Sequence, residues 1–256
     1  MTVTARDHPV IVPTSLGPVG GIVTEPAGAV RAAMLLLQGG SRGGRAGINA
    51  VWTDIARRLA GLGVVVLRVD YAGDGESYMV ARDRGGVRWK VETDSRLVLE
   101  SAAWFRERVD TRELFVAGSC YGGRLAIAVA AAESSTTQLF LVVPYLRSAK
   151  EEERLTWRDR LTRVKRGESP AAGDGARVEP EVHQVFAGLA ERASTWILLG
   201  DKDPPEAFQL EQHQSLGSAS IEIDVVPSMA LYPVHYPDVQ AEVRSRLVAR
   251  VEQALG

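Results

Sequence analysis

Leu114-Phe115-Val116-Ala117-Gly118-Ser119-Cys120-Tyr121-Gly122-Gly123 is the stretch on which the reading of this chain turns. Its first four residues form a short, uninterrupted apolar run, as expected for a strand buried on both faces. A turn of small residues follows, and residues 125–131 continue in a helical pattern. Strand, tight turn and helix, with small residues two before and two after a central side chain, make the frame of a nucleophile elbow. The frame also selects the attacking atom. Centred on Cys120, the flanking positions are Gly118 and Gly122. Centred on Ser119, they are Ala117 and Tyr121, and the tyrosine would clash in so tight a turn. Cys120 is therefore the candidate nucleophile, with Ser119 its neighbour. Backbone N–H groups at a helix start favour a thiolate at this place.

The same grammar repeats on both sides. Ala32–Leu37 runs into Gly39-Gly40, with a helical stretch at 48–59. Val64–Val69 ends at Asp70 and the turn-rich AGDGES, and residues 196–199 end in GDKDPP. Further strands are expected at 139–143 and Ile221–Val226. Apolar strands alternating with helices imply a mostly parallel α/β sheet covered on both faces. Residues 10–24, broken by Leu16-Gly17-Pro18, read as an opening antiparallel hairpin. A final helix at 237–255 carries Val239, Val243, Leu247 and Val251 on one face. Residues 147–192 differ. A charged helix at 147–166, with an acidic start and a basic end, precedes the linker GESPAAGDGARVEP and a short helix near 183–193. Lying between two sheet strands, this segment reads as a lid insertion within one domain spanning 1–256.

Composition narrows the function. The chain has 256 residues, 45% hydrophobic and 24% charged, with net charge −2. That suits a folded domain with a substantial core and speaks against a nucleic-acid partner, which would call for a basic face. The longest apolar stretch, 114–132, is broken by Arg124, so no membrane partner is expected. The opening MTVTARDHP lacks a signal-peptide pattern, which makes a cytoplasmic setting the expectation. Cys120 is the only cysteine. It rules out an internal disulfide and a cysteine-based metal cluster. Neither a metal nor a cofactor is expected, and the oligomeric state is open.

Taken together, these residues resemble an α/β-hydrolase, near the dienelactone hydrolases and the serine-aminopeptidase-like hydrolases. RVDYAGDGES at 68–77 is similar to that family's D-Y-x-G-x-G-x-S after strand four, and the helix at 94–106 leading into the elbow also fits. A cysteine at the elbow resembles the dienelactone hydrolase variant. The resemblance implies the chain order nucleophile, acid, histidine. Its G-x-x-D spacing in Gly200-Asp201-Lys202-Asp203 favours Asp203 as the acid, with Asp201 second. His235, in LYPVHYPD, is the histidine between the last strand and the last helix; His8, His183 and His213 lie elsewhere. The oxyanion hole would take the backbone N–H of Tyr121 and one from Gly39 or Gly40. Gln38 stands where the family has His before Gly, and can add an amide contact or merely support its loop. Trp157 in the insertion is a candidate substrate-lining residue, although packing against the body explains it equally well.

A thiolate is a better leaving group than an alkoxide, so its attack on an amide tends to reverse. Activated acyl groups suit it better: esters, lactones and thioesters of small metabolites, some of them linked to coenzyme A or a carrier. Hydrolysis through an acyl-thioester is the leading reading. Acyl transfer or acyl elimination, which the family also includes, and a non-catalytic ligand binder on the same fold are the alternatives.

Overall fold

The computed structural model describes residues 5–39, 44–77, 91–144, 185, 188–189, 191–203, 220–232 and 234–256. Each apolar run becomes a strand: β1 Arg6–Val12, β2 Val19–Glu25, β3 Ala32–Leu37, β4 Val64–Val69, β5 Leu114–Ser119, β6 Thr136–Val142, β7 Ser194–Gly200 and β8 Ile221–Val226. Four α-helices are described: α1 Val51–Gly61, α2 Val91–Arg106, α3 Tyr121–Ala132 and α4 Pro237–Ala254. The strands form one eight-stranded sheet in the order β1-β2-β4-β3-β5-β6-β7-β8. Only β1–β2 and β2–β4 pair antiparallel. The other neighbours run parallel. The opening hairpin and the mostly parallel α/β sheet are as the sequence implies.

The apolar runs explain the layering. Every residue of β3, β4 and β5 is buried, because helices cover both faces. The β3-to-β4 crossover moves towards one edge and the β5-to-β6 crossover towards the other, so right-handed connections place α1 and α3 on opposite faces. Helix α1 accordingly packs with α4, and α2 with α3. Phe115, Phe140 and Trp196 stack edge-on across three adjacent strands, with centroids 5.8 and 6.4 Å apart. At the sheet edge β8 is only half-buried; there Asp224 receives both oxygens' worth of hydrogen bonds from Arg246 of α4.

Several boundaries differ from the sequence reading: β6 spans Thr136–Val142 rather than 139–143, and α2 starts at Val91 rather than 94. Asn49 and Ala50 have positive φ, both 54°, so α1 starts at Val51 behind a short 3-10 turn rather than at 48. Helix α3 begins at Tyr121, four residues before its apolar pattern does. Two consecutive glycines weaken a helix on propensity alone. Here close packing overrides that: a β-carbon on Gly122 would collide with the carbonyls of Leu37 and Gln38. The lid helices expected within 147–192 lie outside the described residues, apart from 185, 188–189 and 191–192.

Candidate active site

The chain turns opposite ways on leaving β3 and β5, and open α/β sheets bind ligands at such a switch point, beyond the strand C-termini. Cys120 stands there, between β5 and α3. Its φ of 48° and ψ of −118° are costly for an L-residue, about 1–3 kcal/mol. The surroundings hold it in place. The Cys120 N–H donates to the Val142 carbonyl at 3.0 Å, and the Cys120 carbonyl accepts from Gly123 N–H at 3.1 Å. A β-carbon on Gly118 would run into the Gly122 carbonyl, so the two flanking glycines are a steric requirement of the turn. Cys120 is partly exposed while Ser119 is buried.

Gly39 lies against the elbow. A β-carbon there would stand 2.8 Å from Cys120 Cβ and 2.9 Å from the Ser119 carbonyl. Gly40 lies outside the described residues. Gln38 is 2% exposed, and among the described residues neither its Oε1 nor its Nε2 has a hydrogen-bond partner. The Gln38 main-chain carbonyl does have one: the Tyr71 hydroxyl, at 2.6 Å.

The two candidate acids have different jobs. Asp201 is exposed, and its carboxylate accepts the Ser228 and Met229 N–H groups at 2.7 and 3.1 Å. It pins the turn after β8. Asp203 is 8% exposed and accepts from Gly200 N–H at 2.6 Å and Tyr232 N–H at 2.7 Å. Burial raises its pKa from the ordinary aspartate value, against the opposing pull of these backbone hydrogen bonds. Asp203 is thereby joined to the loop that reaches His235 three residues later. His235 itself is exposed, and among the described residues no hydrogen bond joins it to Asp203 or Cys120. The structure thus brings Cys120, Ser119, Tyr121 and Gly39 into one cluster and seats Asp203 beneath the His235 loop. Trp157 lies outside the described residues, and among those described no His, Cys, Asp or Glu cluster could hold a metal.

Several residues next to the elbow carry no role in the sequence reading. Tyr71 is fully buried and meets Tyr121 edge-on at 5.7 Å. The Tyr121 hydroxyl donates to Asp94 at 2.8 Å. Asp94 is 3% exposed and its other oxygen accepts the Ala72 N–H at 3.2 Å. Burial raises the Asp94 pKa, and these two hydrogen bonds oppose it. Asp70, buried at the end of β4, accepts the Arg45 N–H at 2.8 Å and pairs with the Arg45 guanidinium, which also reaches Glu76 at 2.9 Å. Asp70 and Tyr71 belong to the quoted RVDYAGDGES motif, so a signal for them existed. Asp94 had none, because a charged residue on a helix ordinarily reads as solvated.

A strained elbow at the switch point of a mostly parallel sheet, with an acid and a histidine on the loops after β7 and β8, defines an α/β-hydrolase architecture. Residues 31–171 match the family described as alpha/beta hydrolase domain, and the chain belongs to it. No curated protein matches the sequence. Among solved structures, the chain is similar to an α/β serine hydrolase without lid from Xanthomonas campestris, with 18% identity and a TM-score of 0.65 over 97% of this chain and 94% of that one. It is also similar to the alpha/beta hydrolase GrgF from Penicillium sp. sh18, with 18% identity and a TM-score of 0.67 over 96% and 98% of the two chains. A dienelactone hydrolase from Anabaena variabilis has 15% identity and a TM-score of 0.66 over 96% of each chain. At such identities the likeness is one of fold. Among the described residues no helix is long and apolar enough to cross a membrane.

Proposed function

We propose that this protein is a hydrolase of small esters, lactones or thioesters, working through Cys120, His235 and Asp203. The observation that carries the reading is the backbone of Cys120: a reactive side chain held at φ 48° between Gly118 and Gly122, where strain serves presentation and not packing. The similarity to hydrolase folds supports it.

In this mechanism the Cys120 thiolate attacks the acyl carbon, and the carbonyl electron pair moves onto oxygen. The N–H groups of Tyr121 and of Gly39 or Gly40 receive that oxyanion. Its collapse breaks the bond to the leaving alkoxide, phenoxide or thiolate, which takes a proton from the His235 imidazolium. An acyl-thioester remains on Cys120. His235 then deprotonates a water; the hydroxide adds to the thioester carbonyl, the thiolate departs and the free acid is released. Asp203 orients the histidine. Bringing His235 within hydrogen-bond reach of Cys120 requires its exposed loop to tighten onto the substrate-bound site, as catalytic contacts commonly do.

The test is incubation with p-nitrophenyl acetate, a lactone and an acyl-coenzyme A, followed by intact-mass analysis. An acyl adduct on the wild type, none on Cys120→Ala, and free acid as product support the reading. Turnover that survives Cys120→Ala overturns it. Consumption of substrate without free acid assigns the site to acyl transfer or elimination instead.

A further inference from the structure

The peptide joining Gln38 to Gly39 presents two groups. Its carbonyl belongs to Gln38 and its N–H to Gly39. A trans peptide is planar, so its C=O and N–H point in opposite directions and fixing one aims the other. The Tyr71 hydroxyl grips that carbonyl at 2.6 Å, from a side chain with no solvent exposure. Burial raises the Tyr71 pKa well above its usual value, which keeps the phenol protonated and able to donate. Among the described residues the Gly39 N–H has no acceptor of its own, and the glycine itself packs against Cys120. A hydrogen bond to the carbonyl of an amide also polarises its N–H, making it the stronger donor.

The opposite wall is fastened to the same place. Tyr121 follows the nucleophile, and its phenol donates to Asp94. Asp94 holds Ala72, the residue after Tyr71. The rings of Tyr71 and Tyr121 meet edge to face, at 79°. Gln38, Tyr71, Ala72, Asp94 and Tyr121 therefore make one continuous brace between the two donors. Asp94 is a buried carboxylate, which is unfavourable without compensating hydrogen bonds; it receives one from each side of the brace.

We infer that Tyr71 and Asp94 are positioning residues for the oxyanion hole: Tyr71 aims the Gly39 N–H, and Asp94 locks the Tyr121 wall to the same β4 exit. This rests on the reading of Cys120 as nucleophile. It also selects Gly39 over Gly40 as the second donor.

Tyr71→Phe keeps the ring and removes only the hydroxyl. With p-nitrophenyl acetate as substrate we expect kcat to fall by about tenfold to hundredfold, short of deleting a donor outright, with KM within about threefold. Alkylation of Cys120 by iodoacetamide builds no oxyanion, so its rate should be unchanged. An unchanged kcat overturns the inference. So does a parallel loss of turnover and alkylation, which would tie Tyr71 to the thiol or to folding. Tyr121→Phe frees the second wall and is expected to show the same split; it carries the test if Tyr71→Phe does not fold. Cys120→Ala run alongside separates the two claims. If it remains active, the nucleophile assignment has failed; if it is dead while both phenylalanine variants are normal, only the brace has failed.

Discussion

Gly39 approaches Cys120 so closely that a β-carbon on it would lie 2.8 Å from the cysteine's own Cβ. Real β-carbons do not come that near, so the β3 exit and the elbow can share this space only while residue 39 is glycine. The distance links two turns that are 81 positions apart in sequence. Gly39→Ala must push the β3 exit away from the nucleophile. We expect ester turnover to drop by about 10²–10³, the size of losing one oxyanion donor, with Cys120 still alkylated by iodoacetamide. Steady-state kinetics beside a labelling time course checks this, and a change under threefold refutes it.

Cys120 occupies a backbone region that glycine enters freely. Cys120→Gly therefore abolishes turnover while relieving strain. The expected gain is about 1 kcal/mol, which for a chain of this size raises the melting temperature by about 2–4 °C. Differential scanning calorimetry decides it; a lower melting temperature would mean that the turn is not strained.

Asp203 and Asp201 should part company on substitution. Asp203 offers an acceptor to two backbone N–H groups; an asparagine supplies only one and sets its NH₂ against the other. Asp203→Asn should lower kcat by about 10²–10⁴, whereas Asp201→Asn loosens the β8 turn and leaves kcat within about threefold. Burial raises the native pKa of Asp203 above its unfolded value, so the folded state holds this proton more tightly. Its contribution to stability is thus full below the unfolded pKa and is lost as pH rises through the raised native value. Activity runs the other way, because the carboxylate is the form that orients the histidine. Denaturation of wild type and Asp203→Asn across the acid range isolates this term.

Gln38 buries both amide atoms without a partner among the described residues, and each such group is destabilising by about 1–3 kcal/mol. Methionine has similar length and no such need. We expect Gln38→Met to raise the urea midpoint, with a gain of about 1 kcal/mol or more. A lower midpoint would show that the amide is hydrogen-bonded in solution.

The sequence by itself determined the strands, their parallel arrangement and the place of the strand–turn–helix elbow. These follow from local rules. Short apolar runs such as β3, β4 and β5, bounded by turn residues, suit strands covered on both faces, and only small residues fit two places either side of so tight a turn. The family resemblance, not a local rule, favoured Asp203 over Asp201. What needed the tertiary structure is everything set by distance across the sheet. Asp94 looks in sequence like an ordinary charged helix residue, and becomes a buried brace because the Tyr121 phenol and the Ala72 amide converge on it. Tyr71 stands inside a quoted motif, yet its task depends on the Gln38 carbonyl of the adjacent strand. Helix α3 starts early because Gly122 must pass the β3 carbonyls, a contact that no propensity records. Sequence patterns specify which faces are buried; only the paired sheet brings residues 38, 71, 94 and 121 together, and that proximity decides which way the donors beside Cys120 point.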